Sequence, residues 1–460
     1  HSFKLDRGTE VTLHLRDDDR DFLEPARLSA IVRKYSDHIG LPIRLKNEQG
    51  ELDTLNQARA FWTRPKSELK DEDYAKFYEQ VAHDYQAPLA WAHHKVEGTI
   101  EYTSLLYIPA HAPFDLWDRE QSRGVQLYVK RVFIMDKAAE LLPPYLRFVR
   151  GVVDTPDLPL NVSREILQGN RTVDKIRGAL VKRVLDLLDD MAANKPDDYA
   201  KFWAAFGIVF KEGIVEDNAN RERIARLCRF HSTASPDRPE VTLEAYVARM
   251  PDGQGDIYYL TADTLAAARS SPHLEGFRAR NFEVLLLSDR IDEWVVGHLT
   301  EFGGKKLESV ARASRDLDDK IETPEKARLE GEFKDVLERL QQSLGERVEA
   351  VRLSSRLTES PSCLVAGEHA MSRRLEEMLK RAGEQAPGSR PILELNATHP
   401  LVEKLKATAD DETFADLGEL LFGQAVLAEG GQLDDPAAFV RRLNRLLLAG
   451  GGDAGRIILG

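Results

Sequence analysis

The chain has 460 residues, of which 42% are hydrophobic and 31% are charged, and its formal net charge is −13. This composition is typical of a globular protein of about two to four domains and excludes a disordered one. A membrane-spanning helix needs about 20 consecutive apolar residues, and the sequence has no such run. An acidic chain also has little to attract nucleic acid or an anionic membrane. We therefore predict neither nucleic acid nor a membrane as a partner.

Cysteine usage indicates the cellular compartment. Cys228 and Cys363 are the only cysteines, which is too few for a disulfide framework, and the sequence contains no C-x-x-C pair. It also has no apolar secretory leader after a basic start. These features predict a cytoplasmic location with reduced thiols.

The first 58 residues predict a fragment and a linker. Val11, Leu13 and Leu15 alternate as in a strand, residues 18–34 have helical spacing, and 41–45 alternate again. A strand–helix–strand segment of this length is too short to bury a core. We expect residues 1–47 to be the C-terminal remnant of a preceding domain, and the polar residues 48–58 to be a linker.

Residues 59–320 predict a larger middle domain of the α/β class. Residues 96–108 and 125–134 resemble a strand pair, and a phase jump in the second strand indicates a bulge. Residues 172–192 form a strongly amphipathic helical pattern, and 256–299 alternate between strand-like and helix-like stretches.

Residues 321–460 predict a third, mixed domain that ends in helices. Thr323 and Pro324 are suited to a helix start, and residues 414–428 and 436–448 each have an apolar helical face. The predicted fold class is therefore α/β (α+β) and multidomain, with a middle domain of α/β/α layers and a C-terminal domain.

One stretch carries a chemical signal. In Leu158–Gln168, Asn161 and Ser163 are good N-cap residues, and a helical turn from Arg164 would place Arg164 and Gln168 four residues apart on one face. A guanidinium beside an amide can bind a phosphate oxygen. From spacing alone, an exposed helix start with a surface arginine is the more frequent explanation.

Self-contained catalytic motifs are missing from the sequence. It contains no G-x-x-x-x-G-K-[ST], H-E-x-x-H or G-x-S-x-G. Residues 450–455 spell G-x-G-x-x-G but follow a helical pattern instead of a strand, so we interpret them as a flexible tail. The adjacent His93 and His94 would point to opposite faces of a strand, and we predict no metal site.

Leu158–Gln168 resembles the catalytic-loop motif of the ninety-kilodalton heat-shock chaperone (Hsp90) family. Further stretches resemble the same family in the same order, namely residues 62–68, 108–116, 129–136, 148–154, 289–294 and 356–361. The resemblance covers nearly the whole chain, and the later part is most similar to bacterial members.

The resemblance implies three domains: an N-terminal ATP-binding domain, a middle domain and a C-terminal dimerisation domain. Residues 1–47 match only the end of the first, and the family's ATP pocket has no counterpart here. ATP and Mg are thus the cofactors implied for the full-length protein, with none expected on this chain and no hydrolysis by it alone. Arg164 would contact the γ-phosphate, Gln168 would support it, and Asn161 and Ser163 would shape the loop.

The resemblance also implies binding of partly folded client proteins. Trp62, Glu293 and Trp294 resemble positions that contact clients, although Trp294 alone would be interpreted as a half-buried packing residue. A second client surface would be an exposed amphipathic helix over residues 371–380. A plain core helix is the alternative for that stretch. Its apolar stripe consists of Met371, Leu375, Met378 and Leu379.

The last two helices would form the dimer interface of the family, a four-helix bundle between two chains. The interface residues predicted for these helices are Leu417, Leu420, Leu421, Phe439, Leu443, Leu446 and Leu447. The acidic tail motif that binds repeat-type cochaperones in eukaryotic cytosolic members is absent, so we predict no such docking. The alternative to a chaperone is a pure dimerisation scaffold without client affinity.

Overall fold

The computed structural model describes residues 8–47, 49–118, 124–161, 164–312, 324–367, 375–376, 378–379, 383 and 388–450. The chain divides into two compact units, residues 1–206 and 207–460. This division does not coincide with a predicted domain boundary, and the predicted boundaries remain a prediction.

The first unit contains a five-stranded mixed sheet and a two-stranded hairpin. Its helices are α1 (Pro25–Tyr35), α2 (Asp71–Ala82), α3 (Arg164–Leu167), α4 (Arg171–Asn194) and the first half of α5 (Pro196–Glu216). Its strands are β1 (Arg44–Lys46), β2 (Leu52–Thr54), β3 (Ala90–Val96), β4 (Tyr102–Ile108), β5 (Val125–Val129), β6 (Val132–Met135) and β7 (Arg150–Thr155). The large sheet has the order β3-β4-β7-β5-β6, in which only β5 and β7 are parallel.

The start of the described chain differs from its prediction. Val11 and Leu13 are each 77% exposed and belong to no strand, because no other described strand pairs with them. The predicted helix over 18–34 is interrupted at Pro25, which has no N–H to donate and therefore begins α1 after a 3-10 turn.

The segment predicted as a linker, residues 48–58, contains a strand. β2 pairs with β1 in an antiparallel hairpin. Asn56 is buried beside it, where its side-chain oxygen accepts a bond of 2.8 Å from the backbone N–H of Ile43, and its amide nitrogen donates to the carbonyl of Leu41 at 3.0 Å. The polar residues of this segment therefore form part of an ordered hairpin.

The predicted pairing of residues 96–108 with 125–134 is wrong. β4 pairs with β3 and β7, while β5 pairs with β6 and β7, so that β7 separates them. Gly151 permits this close arrangement: its φ is +138°, and a Cβ there would lie 2.0 Å from the carbonyl oxygen of Leu105. The predicted bulge after Val129 is also wrong, because Lys130 and Arg131, both with positive φ, form the tight turn between β5 and β6. A register shift of this pair lies elsewhere, between Leu127 and Tyr128.

The second unit has two sheets and a set of C-terminal helices. Its helices are the rest of α5, α6 (Arg221–Leu227), α7 (Leu243–Ala248), α8 (Leu265–Arg269), α9 (Glu275–Ala279), α10 (Asp292–His298), α11 (Pro324–Leu344), α12 (Pro400–Ala407), α13 (Asp411–Ala428) and α14 (Pro436–Gly450). Its strands are β8 (His231–Ser232), β9 (Ile257–Thr261), β10 (Val284–Leu287), β11 (Glu301–Phe302), β12 (Lys305–Ser309), β13 (Ala350–Leu353), β14 (Ser362–Val365) and β15 (Ile392–Leu395).

The topology of the second unit confirms its predicted α/β character. One sheet has the order β11-β12-β9-β10-β8, with β9 parallel to both β10 and β12, and the other has the order β13-β15-β14. Parallel neighbours need crossover connections, which α8 and α9 supply between β9 and β10. In the described part of the chain, no helix combines the length and apolarity required to span a bilayer.

Candidate functional site

The loop between β7 and α4 is held at both ends by buried side chains. Leu158 is 3% exposed and Leu167 is 1% exposed, whereas Leu160 between them is 53% exposed. The short helix α3 begins at Arg164, as predicted. Two core anchors around the exposed residues 159–161 and Glu165 are suited to presenting polar side chains outward.

The predicted phosphate-contacting residues lie on this loop. Asn161 and Gln168 are exposed, while Ser163 and the side chain of Arg164 lie outside the described part of the structure. Gly169, with φ +71°, ends the turn, and the side chain of Asn170 accepts a bond of 2.9 Å from the backbone N–H of Thr172 to cap α4. The loop therefore leads directly into the longest helix of the unit.

Trp62, a predicted client contact, is a core residue. Its ring is 1% exposed, and its Nε1 donates a bond of 2.9 Å to Oδ2 of Asp154. The ring centroid lies 4.5 Å from that of Tyr128 and 4.8 Å from that of His38. A ring buried in this way has no surface to offer a client, so we leave Trp62 out of the client surface.

The other two predicted contacts lie on α10 with opposite exposure. Trp294 is 38% exposed, and Glu293 is 6% exposed. The carbonyl of Trp294 lies 2.8 Å from Nδ1 of His298 within the same helix. Trp294 therefore presents part of an aromatic ring to solvent, while Glu293 does not offer a comparable surface.

A buried group of charges lies at the start of α10. The Nζ atom of Lys211, on α5, is 2.8 Å from Oδ2 of Asp289 and 2.8 Å from Oδ1 of Asp292. Asp292 also accepts a bond of 2.9 Å from the backbone N–H of Asp289. We call these three residues the Lys211 cluster.

The cluster keeps its lysine charged inside the protein. Burial alone would lower the pKa of Lys211, but the carboxylates of Asp292 and Asp289 raise it above its usual value. Burial raises the pKa of Asp292, and the ammonium of Lys211 opposes that shift. Sequence analysis missed this cluster, although a single lysine after the apolar run 208–210 was a signal for it.

The predicted amphipathic helix over 371–380 is described only in part. Leu375, Met378 and Leu379 are half-buried, and Met371 lies outside the described residues. Half-burial leaves part of this stripe accessible while the rest packs against the unit.

The predicted dimer residues separate into two groups. Leu417, Leu420 and Leu421 on α13 are buried in the core of their own unit, because α13 packs between α11, β14 and α14. A residue buried in this way cannot face a second chain, so we leave these three out of the interface.

The interface residues on α14 are more exposed. Leu446 is 9% exposed, while Phe439 and Leu443 are partly buried against the same core. Leu447 is 66% exposed, and two neighbours that the prediction did not include, Val440 and Leu448, are 52% and 82% exposed. The outward face of α14 therefore carries these three apolar side chains beside the exposed Arg441, Asn444 and Arg445.

The described residues hold no group of three or more histidine, cysteine, aspartate or glutamate side chains that could bind a metal ion. Both cysteines are buried, and burial raises the pKa of the Cys228 thiol to about 12. Burial also raises the pKa of the Cys363 thiol well above its usual value.

Comparison with known proteins gives consistent matches. The model of a family described as HSP90, Hsp90 protein, matches residues 45–453. The chain is 54% identical to Chaperone protein HtpG of Chromobacterium violaceum, over 97% of this chain and 73% of that protein. It is 54% identical to Chaperone protein HtpG of Nitrosococcus oceani, with the same coverage. For Chaperone protein HtpG of Bordetella pertussis the identity is 56%, over 97% of this chain and 72% of that protein.

Proposed function

This chain belongs to the Hsp90 family, of the bacterial HtpG type, and on that premise we propose that it acts as a molecular chaperone that binds partly folded client proteins as a homodimer. In the full-length protein, ATP binding and hydrolysis would close and reopen a dimeric clamp around the client. A cytoplasmic location belongs to the same proposal.

The main observation that supports client binding is the half-exposed ring of Trp294, which lies on a helix whose first turn contacts buried charges. A large amphipathic ring on a rigid support can contact varied apolar segments at small entropic cost. The half-buried stripe of Leu375, Met378 and Leu379 supplies adaptable apolar surface of the same kind.

The proposed contribution to ATP chemistry is limited to the loop around α3. What the loop offers is an exposed turn with Gln168 and the start of α3 at Arg164. We propose that this chain does not hydrolyse ATP on its own. Arg164 and Gln168 would contact a triphosphate, with its Mg, held by the N-terminal domain of the full-length protein.

Client binding predicts a specific effect of the Trp294→Ala substitution. We expect the dissociation constant for a fluorescently labelled, permanently unfolded polypeptide to rise about tenfold, because an exposed aromatic anchor is removed. Fluorescence anisotropy without nucleotide measures this dissociation constant. The matched control is Ile208→Ala, at a position that is 43% exposed. Equal affinity of the parent and Trp294→Ala would favour the alternative, a dimerisation scaffold without client affinity.

Dimerisation is proposed to use the outward face of α14. Burying a leucine contributes about 1.5–3 kcal/mol, so we expect Leu447→Asp to weaken the dimerisation constant roughly 100-fold. Sedimentation should then show the variant as a monomer of 51.9 kDa at concentrations where the parent is a dimer. Ile208→Asp is the control, and a monomeric parent or a dimeric Leu447→Asp variant would contradict the proposal.

A further inference from the structure

We infer that Lys211 is a positioning residue for client binding: its buried ammonium fixes the start of α10 and thereby the place of the Trp294 ring. The effect on client binding rests on the proposed function. The placing of the Trp294 ring by Lys211 does not depend on that function.

The contacts of Lys211 are short, and they involve two successive parts of the chain. Its side chain is 5% exposed and that of Asp292 is 0% exposed, while Asp289 keeps 33%. Asp289 precedes α10, Asp292 is its first residue, and Trp294 follows two positions later. One ammonium therefore fixes both the approach to the helix and its first turn.

Packing alone does not require a charge at this position. A methionine would fill a similar volume beside the ring of Phe230, and a buried ion pair often contributes little net stability over such a replacement. The charge fixes the positions of the two carboxylates, because an ammonium forms hydrogen bonds only to acceptors within its reach.

The hydrogen bonds around Lys211 close a ring. Lys211 donates to both carboxylates, and Asp292 accepts in addition from the backbone N–H of Asp289. The turn over 289–292 satisfies all of these bonds in one conformation. A conformation that separated Asp292 from Lys211 would leave a fully buried carboxylate without its ammonium, which is costly.

The other described groups near the ammonium are weaker partners for a carboxylate. The ring of Phe230 has its centroid 5.1 Å from Nζ, and the thiol of Cys228 stays protonated because burial raises its pKa. An aromatic ring has no donor for a carboxylate, and a neutral thiol is only a weak donor. The nearby imidazole of His231 already has its Nδ1 atom 3.1 Å from the carbonyl oxygen of Pro236. Without the ammonium, the start of α10 would adopt a different arrangement, and Trp294 would move with it.

Fluorine NMR of protein labelled with 5-fluorotryptophan tests this directly. The chain has five tryptophans, and Trp294→Phe identifies the resonance of Trp294. We expect Lys211→Met to shift or broaden that resonance and leave those of Trp62, Trp91 and Trp117 in place. We also expect it to raise the client dissociation constant about fivefold. The control is Lys201→Met, which removes an exposed lysine of the same helix, 2.9 Å from Asp198.

A second variant covers the case in which Lys211→Met does not fold. Lys211→Met with Asp292→Asn removes the unpaired charge and keeps an oxygen that can accept from the N–H of residue 289. We expect this pair to fold and still show a displaced Trp294 resonance with weakened client binding. A parental resonance and parental affinity in the folded pair would overturn the inference. If Trp294→Ala leaves client affinity unchanged, the proposed function fails. The Trp294 resonance in the Lys211 variants still tests whether Lys211 positions the ring.

Discussion

Replacing Arg164 with alanine is expected to lower the ATPase rate of the full-length protein about 10³-fold or more. A guanidinium at the γ-phosphate stabilises the charge of the transition state, and a methyl group cannot replace it. The loop supports such a role because Leu158 and Leu167 anchor it on both sides of an exposed stretch. Arg164 stands at the first position of α3, where the chain leaves that stretch.

Two further variants separate charge from geometry at this loop. Arg164→Lys keeps the positive charge but loses the planar fork of donors, so we expect it to recover only part of the rate. Gln168→Ala removes an amide that would donate to a charged phosphate oxygen, and we expect a loss of about tenfold or more. Steady-state phosphate release and nucleotide binding should be measured together. A rate in Arg164→Ala within twofold of the parent would remove this loop from the ATPase mechanism.

Replacing Glu394 with alanine is expected to lower the free energy of unfolding of the second unit by about 3–5 kcal/mol. Glu394 lies on β15 and is completely buried. It accepts bonds from Nη2 of Arg352 at 2.6 Å, Nη2 of Arg356 at 2.9 Å and Oγ of Ser354 at 2.9 Å. Arg356 is itself 3% exposed, so the substitution would leave a buried guanidinium without its carboxylate.

The same site predicts a pH dependence. Burial alone would raise the pKa of Glu394, but Arg356 and Arg352 hold it below the usual 4.5. A carboxylate whose pKa is lowered by folding stabilises the protein above its unfolded pKa, and this contribution is lost as the pH falls through the lower folded value. Glu394→Gln should be less stable than the parent at neutral pH, and the difference should shrink at acidic pH.

Urea unfolding between pH 7 and pH 3 measures both effects. Glu412→Gln is the matched control, because Glu412 is 79% exposed and its bond of 2.7 Å to Arg445 lies at the surface. Exposed pairs contribute about 0–1 kcal/mol, so the control should follow the parent. A Glu394→Gln variant as stable as the parent at neutral pH would show that the arginines do not depend on this carboxylate.

Local patterns predicted the helices well and the sheet poorly. The apolar stripe over 172–192 became α4 (Arg171–Asn194), and the last predicted helix became α14, because helical periodicity is set by residues three and four positions apart. The pairing of β4 and β5 failed because β7 lies between them, and β7 comes later in the chain. Nothing in the alternation of a strand identifies its neighbours.

At the candidate site, too, local patterns predicted helical faces but not the tertiary contacts. Periodicity identified the apolar faces of α13 and α14 but not what covers them: Leu417 and Leu421 are in the core of their own unit, while Leu447 is exposed. Resemblance placed Trp62 and Trp294 in one functional class, whereas the first is buried and the second is not. The Lys211 cluster joins residues 78 and 81 positions apart, which no local pattern reveals.

The most direct test of client binding is photocrosslinking from position 294. A benzophenone amino acid replaces Trp294 in one variant and Ile208 in another, since the two side chains are 38% and 43% exposed. After irradiation with an unfolded model client and no nucleotide, we predict a covalent adduct from position 294 and little from position 208. An absence of adduct at position 294, or equal yields at both positions, would contradict a client surface on α10.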